Sequence, residues 1–226
     1  MTDLSSIDLH SGILPSHMKV DIWEEYARHV LSWLEPSIYS SLVLSDRPDL
    51  IDTSNSLGVE VTWSIPEESK EIDALYMRYC IEREPAKRNH IEERLSQLNA
   101  SVNEYACFHP TRHDDLTLMQ DSYERKLRLL NESGYKVFNH NHLFMLSDIC
   151  ASKTMLQDAL LKLEQTAGNY AVSFERVVVA VPGYVYTFSL FDNKYHVINL
   201  SSSKQYELAM AARQCVLDAE RTHAAK

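Results

Sequence analysis

Residues 46–63 read DRPDLIDTSNSLGVEVTW, and this stretch predicts a β-hairpin. The run 52–56 contains only Asp, Thr, Ser and Asn, a composition typical of a turn. After this turn, four apolar residues share one face of a strand: Leu57, Val59, Val61 and Trp63. Glu60 therefore points to the opposite face, because successive side chains of a strand alternate in direction.

The spacing of apolar residues predicts the elements around the hairpin. Helices are expected at 17–34 with Ser16 as N-cap, at 67–99 with a break near Pro85, at 117–133 with a capping box at 117–120 and Gly134 as C′, at 153–167 and at 203–222. Strands are expected at 135–140, 143–146, 174–181, 184–190 and 194–200, while residues 38–44 fit either a strand or a helix extension.

This order of elements predicts an α/β (α+β) fold in which helices flank a mixed central sheet. The length of 226 residues favours one domain over 1–226, with a helical insertion at about 67–115. The run 177–179 is apolar throughout, which is typical of a central strand that is buried on both faces.

The composition is that of an acidic globular protein. The chain is 45% hydrophobic and 24% charged, and its formal net charge is −10. This charge excludes a general nucleic-acid coat protein and a polybasic membrane binder. The charge is uneven, since residues 1–100 contain 18 acidic and 9 basic residues, whereas residues 101–226 contain 14 and 13.

The cysteine pattern and the first ten residues favour a reducing compartment inside the cell. The four cysteines form no Cys-x-x-Cys pair, so the sequence offers no zinc knuckle or thioredoxin-like motif. Isolated thiols are typical of a reducing compartment. The opening residues MTDLSSIDLH lack the basic and apolar segments of a secretory signal. We therefore expect a soluble, cytoplasmic protein with no membrane partner.

Asp49 and Glu60 are the residues with the clearest chemical meaning. They lie eleven positions apart on the two sides of the hairpin, which brings such positions close together. Two neighbouring carboxylates repel each other and favour a divalent cation between them. Mg²⁺ accepts one or two carboxylates together with a substrate phosphate, and it can activate water for attack on that phosphate. The pair therefore predicts a Mg²⁺ or Mn²⁺ site.

The segments Asp46-Arg-Pro-Asp-Leu50 and Leu57-Gly-Val-Glu-Val-Thr62 resemble the PD-(D/E)XK nuclease superfamily. The resemblance implies a restriction-endonuclease-like core of a helix, a three-strand meander, a helix and a further strand, here with extra helices and C-terminal strands. It also implies that Asp49 and Glu60 are metal ligands, assisted by the backbone carbonyl of Val61. The implied activity is cleavage of DNA, or with less support RNA.

The third position of the family motif is usually lysine, and here it is Thr62. That lysine orients or deprotonates the attacking water, or stabilises the transition state. Some family members supply it from a following helix, so Lys126 is the expected catalytic lysine and Lys70 is the alternative. An acid on the first helix completes the site in related nucleases. Glu25 is the candidate for that role, although a solvated helix glutamate is the simpler interpretation.

Two histidine pairs have spacings that occur in metal sites, but each has a simpler interpretation. His109 and His113 have a spacing that suits zinc on a helix, but Pro110 indicates a turn. His140 and His142 are expected in a loop between two strands.

Two other classes of function stay open. The first is a non-catalytic module of the same fold that binds protein or nucleic acid, which Thr62 in place of lysine favours. The second is an acidic mimic of nucleic acid. The net charge indicates that a nucleic-acid substrate needs a local basic face, a partner, a homodimer or a larger assembly.

Overall fold

The computed structural model describes residues 20–102, 107–108 and 115–224, which form two compact units. The described residues contain seven helices: α1 (Ile22–Leu34), α2 (Pro36–Tyr39), α3 (Glu67–Ile81), α4 (Pro85–Gln97), α5 (Thr117–Leu130), α6 (Lys153–Ala167) and α7 (Ser202–Ala224). Their strands are β1 (Val43–Leu44), β2 (Leu50–Asp52), β3 (Leu57–Ser64), β4 (Ser101–Val102), β5 (Cys107–Phe108), β6 (His140–Ser147), β7 (Arg176–Val181), β8 (Tyr184–Ser189) and β9 (Lys194–Asn199).

The larger unit, residues 20–64 and 115–224, is built on a seven-stranded sheet in the order β1-β2-β3-β6-β7-β8-β9. β3, β6 and β7 run parallel, and the remaining neighbours pair antiparallel. The predicted α+β class with a mixed, helix-flanked sheet is therefore confirmed. The parallel strands are almost fully buried because helices cover both faces.

The two faces of this sheet bury separate apolar cores. One core contains Leu57 and Val59 of β3 and packs against α1 and α7. The other contains Val177 and Val179 of β7 and packs against α5 and α6. The alternation predicted for 57–63 is thus confirmed, because the odd-numbered residues of β3 lie on the α1 side.

The smaller unit, whose described part is residues 65–102 and 107–108, contains α3, α4 and the β4–β5 pair. The break predicted near Pro85 is confirmed, since α3 ends at Ile81 and α4 begins at Pro85. Ile72 and Leu95 are fully buried and form the centre of its small core. The predicted insertion at about 67–115 lies in this unit as far as it is described, and a single nuclease-like domain over 1–226 stays a prediction. His109 and His113 lie outside the described residues.

The first helix begins later than its predicted start at residue 17. Residues 20 and 21 are not helical, and α1 begins at Ile22. The carboxylate of Asp21 accepts hydrogen bonds from the backbone N–H groups of Trp23 and Glu24, which makes Asp21 the N-cap. Ser16, the predicted N-cap, lies outside the described residues.

The ends of α5 also differ from the prediction. The predicted capping box at Thr117 is absent, because the N-cap Leu116 makes no side-chain cap bond and the carboxylate of Asp115 accepts from the Thr117 N–H at 3.0 Å. The helix ends at Leu130 rather than 133, with Asn131 as C-cap. Gly134 has a left-handed φ of +88°, but it lies beyond the C′ position.

β6 is one continuous strand where two short strands were predicted. Residues 135–139 are not a strand, and β6 runs from His140 to Ser147. The buried side-chain amide of Asn141 accepts a hydrogen bond from the Phe138 N–H and donates one to the Phe138 carbonyl. These two bonds hold the backbone just before β6 in a non-strand conformation. Pairing with β3 on one side and β7 on the other keeps β6 extended. Residues 38–44, left undecided above, contain both the end of α2 and β1.

No helix among the described residues combines the length and the apolar character needed to cross a membrane.

Candidate functional site

Asp49 and Glu60 occupy facing positions of the β2–β3 hairpin. Leu50 pairs with Val59 in the antiparallel register, so the next positions in that register are Asp49 and Glu60. Facing residues of an antiparallel pair point to the same side of the sheet. Both carboxylates therefore lie on the face that α5 covers, opposite to the Leu57 and Val59 core.

Gly58 allows Pro48 to approach β3 closely. A Cβ atom at Gly58 would lie 2.8 Å from Pro48 Cγ and 2.8 Å from Phe138 Cδ2, which no real Cβ contact tolerates. Steric crowding therefore explains why this position of the motif is a glycine. It lets the segment that carries Asp49 pack directly on the strand that carries Glu60.

The carboxylate of Asp49 is fixed to the backbone of β3. Asp49 Oδ2 accepts a hydrogen bond of 2.6 Å from the Val61 N–H. The N–H and C=O of one strand residue point to the same side of the strand, as the paired bonds of antiparallel ladders require. The carbonyl of Val61 therefore faces the same side as Asp49, which is where the resemblance needs it.

Lys126 of α5 contacts both carboxylates. Its Nζ atom donates a hydrogen bond to Glu60 Oε2 and lies 3.7 Å from Asp49 Oδ2. The side chains of Lys126, Asp49 and Glu60 are only 16%, 18% and 7% exposed. The structure thus brings together the three residues named as catalytic from the sequence.

The packing of α5 explains why Lys126 reaches the hairpin. Tyr123 and Leu127 flank it in sequence and are fully buried in the core beneath the helix. The hydroxyl of Ser122 donates to the Trp63 carbonyl at 3.1 Å and holds the helix against β3. Lys126 lies between these anchors, at the border of the buried face, so its long side chain extends along the sheet.

Burial and crowding change the acidity of the carboxyl groups. Desolvation raises the pKa of Asp49 and of Glu60, and the Lys126 ammonium lowers both values in part. Repulsion from Asp49 further raises the pKa of Glu60, and the Arg47 guanidinium lowers it. The two carboxylates are thus held in a dry, negatively charged position that favours a cation.

Glu24 is an acidic neighbour that the sequence interpretation missed. Burial first, and then repulsion from Asp49, Asp21 and Glu60, raise the pKa of Glu24 to about 7, although the Lys126 ammonium opposes this. The spacing of Asp21 and Glu24 is that of an N-cap and the N3 acid of a helix, and this signal could have revealed the position.

Glu25, the acid expected on the first helix, lies elsewhere. Its Oε2 atom is 2.7 Å from Arg28 Nη2 and 3.9 Å from His29 Nε2. It is buried beside α7 rather than near the hairpin carboxylates. A shift of one residue along a helix turns a side chain by about 100°, which explains why Glu24 takes this place.

The remaining candidates have other partners. Thr62 Oγ1 accepts a hydrogen bond of 3.2 Å from Arg125, so a second cation of α5 lies beside the motif strand. Lys70 belongs to the smaller unit and pairs with Glu67 at 2.6 Å. Between the two lysine candidates, the contacts with Asp49 and Glu60 favour Lys126.

His140 and His142 lie in β6, so the prediction that they lie in a loop is wrong. His142 Nδ1 is 2.9 Å from the Tyr39 hydroxyl, and its Nε2 is 3.9 Å from Glu175 Oε2. Burial, followed by the charges of Arg176 and His140, lowers the pKa of His142 to about 3. The imidazole is therefore neutral. His140, His142, Glu175 and Arg176 line a cavity of about 390 Å³.

Comparison of the chain with protein-family models, with curated proteins and with solved structures gives no match.

Proposed function

We propose that this protein is a metal-dependent nuclease that hydrolyses phosphodiester bonds, with DNA favoured over RNA as the substrate. Asp49, Glu60 and the Val61 carbonyl would hold Mg²⁺ or Mn²⁺. The observation that carries the proposal is the convergence of two desolvated carboxylates and the Lys126 ammonium on one point of the sheet. The cytoplasmic location and the homodimer or larger assembly stay predictions from the sequence.

The donor set suits the ion. Mg²⁺ takes oxygen ligands and keeps part of its coordination shell for water and phosphate. The site offers two carboxylates and one backbone carbonyl, with the third carboxylate of Glu24 close enough to interact with both. A bound Mg²⁺ or Mn²⁺ ion would supply the positive charge that activates water and stabilises the attacked phosphate.

The protein's own groups supply positioning and charge. Lys126 would hold an attacking water molecule or neutralise the charge of the transition state. This is the role that a lysine at position 62 has in the family motif. Arg125 and Arg47 are exposed cations near the same residues and suit contacts with the nucleic-acid backbone. The net charge of −10 disfavours binding of nucleic acid, and these local cations would supply the basic surface that such binding needs.

The order of elements adds support. The larger unit contains α1, the antiparallel meander β1–β2–β3, α5 and then β6. This is the succession of helix, three-strand meander, helix and strand that the nuclease resemblance implies. β6 pairs directly with β3, the strand that carries Glu60, so the candidate site lies on the central part of this core.

A non-catalytic module is the second candidate. The observation in its favour is that Lys126 already neutralises Glu60 and approaches Asp49, as it would in a purely structural ion pair. In that case the fold would bind protein or nucleic acid without cleaving it. Cleavage and divalent-ion binding separate the two candidates.

The test is a cleavage assay with supercoiled DNA, linear duplex, single-stranded DNA and RNA, each with Mg²⁺, Mn²⁺ or a chelator. We expect cleavage that depends on the metal and falls by at least about 100-fold in Asp49→Asn and in Glu60→Gln. Glu132→Gln, an exposed acid of the same unit, is the matched control. Absence of cleavage together with absence of Mg²⁺ and Mn²⁺ binding in calorimetry would favour the non-catalytic module.

A further inference from the structure

A second group of metal-ligating side chains lies between α1 and α7, apart from the hairpin carboxylates. Glu25, His29 and Cys215 each offer one ligand atom, and these atoms all lie within 4.8 Å of one another. Cys215 Sγ is 3.6 Å from His29 Nε2, and that nitrogen is 3.9 Å from Glu25 Oε2. Glu25 and His29 are four residues apart, so they share one face of α1.

We propose that Glu25, His29 and Cys215 form a zinc site that joins α1 to α7. Oxygen, nitrogen and sulfur ligands in a set of three are typical of zinc, whose fourth position then holds water or another ligand. Magnesium and manganese, the ions proposed for the hairpin site, prefer oxygen ligands alone. The two sites are therefore chemically distinct.

One pair of these side chains already has the spacing of two ligands of a bound ion. Tetrahedral zinc with usual bond lengths separates a sulfur and a nitrogen ligand by about 3.6 Å, and a nitrogen and an oxygen ligand by about 3.4 Å. The Cys215–His29 distance already has this value. The Glu25 oxygen is farther away, at 3.9 Å from His29 Nε2, and the three ligand atoms lie within 4.8 Å of one another, so ion binding requires the Glu25 carboxylate to move closer to the other two ligands.

Arg28 occupies the position of a cation between these ligands. Its Nη2 atom is 2.7 Å from Glu25 Oε2 and 3.8 Å from Cys215 Sγ. A guanidinium that bridges a carboxylate and a thiol supplies the positive charge that a metal ion would replace. The Arg28 side chain is 26% exposed, so it has a path into solvent when the ion enters.

The surroundings of these side chains also suit a metal. Burial and the neighbouring Arg28 charge lower the pKa of His29, and the Glu25 carboxylate opposes this in part. Glu25 is 7% exposed, and a zinc ion that displaces Arg28 would take over as the cationic partner that a buried carboxylate needs. Cysteine binds zinc as a thiolate, so zinc binding to a cysteine thiol releases a proton.

The first test uses Co²⁺ as a spectroscopic substitute for zinc, because a thiolate ligand gives it a charge-transfer absorption band. We expect this band in the wild type, in Cys150→Ser, which changes an exposed cysteine, and in the double variant Asp49→Asn/Glu60→Gln. We expect no band in Cys215→Ser. A wild type without the band, or a band that survives Cys215→Ser, overturns the zinc site.

The second test measures Zn²⁺ affinity by competition with a chromogenic chelator. Outer-shell partners alone change metal affinity by about 10–100-fold, so the loss of a ligand in His29→Gln should weaken binding by about 100-fold or more. Arg28→Gln should bind more tightly than the wild type, because the competing guanidinium is removed. Equal affinity in His29→Gln and wild type, or weaker binding in Arg28→Gln, overturns the proposal. Thermal unfolding without metal checks that each variant folds.

Discussion

The ammonium of Lys126 on α5 donates a hydrogen bond to Glu60 Oε2 on β3, although 66 residues separate the two in sequence. The same ammonium lies 3.7 Å from Asp49. A lysine at position 62 would reach the carboxylates from the motif strand itself, but here the cation comes from a helix on the sheet face. The site therefore contains its three charged groups only when α5 is packed on β3.

Lys126→Met separates metal binding from catalysis. The substitution keeps an unbranched side chain but removes the charge, so the ammonium no longer competes for the carboxylate oxygens. We expect tighter Mg²⁺ binding in calorimetry and nuclease activity reduced by at least about 100-fold. Lys162→Met, an exposed change on α6, should alter neither quantity. Weaker Mg²⁺ binding in a folded Lys126→Met protein would contradict the proposed site.

Glu24→Gln tests the acid that the structure adds to the site. At pH 8, above its pKa of about 7, Glu24 is ionised and adds negative charge beside Asp49 and Glu60. Removal of one charge at a partly exposed position is worth about 1 kcal/mol, so Mg²⁺ affinity should fall about fivefold. Glu132→Gln serves as the control, and equal affinities of Glu24→Gln and wild type would place Glu24 outside the site.

Gly58→Ala tests the close packing that positions Asp49. The added Cβ would lie 2.8 Å from Pro48 and from Phe138, so one of them must move. We expect a loss of about 1–3 kcal/mol in the free energy of unfolding, measured with denaturant, together with reduced cleavage. Gly168→Ala is the matched change, because its Cβ would meet nothing closer than 3.5 Å and its φ of −61° suits alanine. A Gly58→Ala protein as stable as Gly168→Ala would contradict this role.

Local patterns predicted the hairpin and the apolar face of α5, because strand alternation and helix periodicity follow directly from the sequence. The hairpin brings Asp49 and Glu60 together, whereas Lys126 is expected, with Lys70 as the alternative, because the nuclease resemblance implies a lysine from a following helix. The prediction starts α1 at residue 17 with Ser16 as its cap, whereas the helix begins at Ile22 and is capped by Asp21. The prediction names Glu25 rather than Glu24 because Glu25 lies on the apolar side of the first helix with Ile22 and Tyr26. The contact of Cys215 with His29 lies beyond any local pattern, because it joins residues 186 positions apart.

His142 should make stability depend on pH in the acid range. Its pKa is about 3 in the folded protein and about 6.5 as a free side chain, because burial and the charges of Arg176 and His140 disfavour the protonated imidazole. The unfolded chain therefore binds one more proton between these values. The contribution of His142 to the free energy of unfolding is therefore fully present above pH 6.5 and is lost progressively as the pH falls toward 3.

The measurement compares the free energy of unfolding of the wild type with that of His142→Gln at pH 6.5 and pH 4.5. Glutamine keeps a polar partner for the Tyr39 hydroxyl but does not titrate. Between these pH values the wild type should lose about 2–3 kcal/mol more than the variant, since two pH units are worth about 2.7 kcal/mol for one proton. His196→Gln changes an exposed histidine and should lose as much as the wild type. A parallel loss in wild type and His142→Gln would show that His142 is protonated in the folded protein.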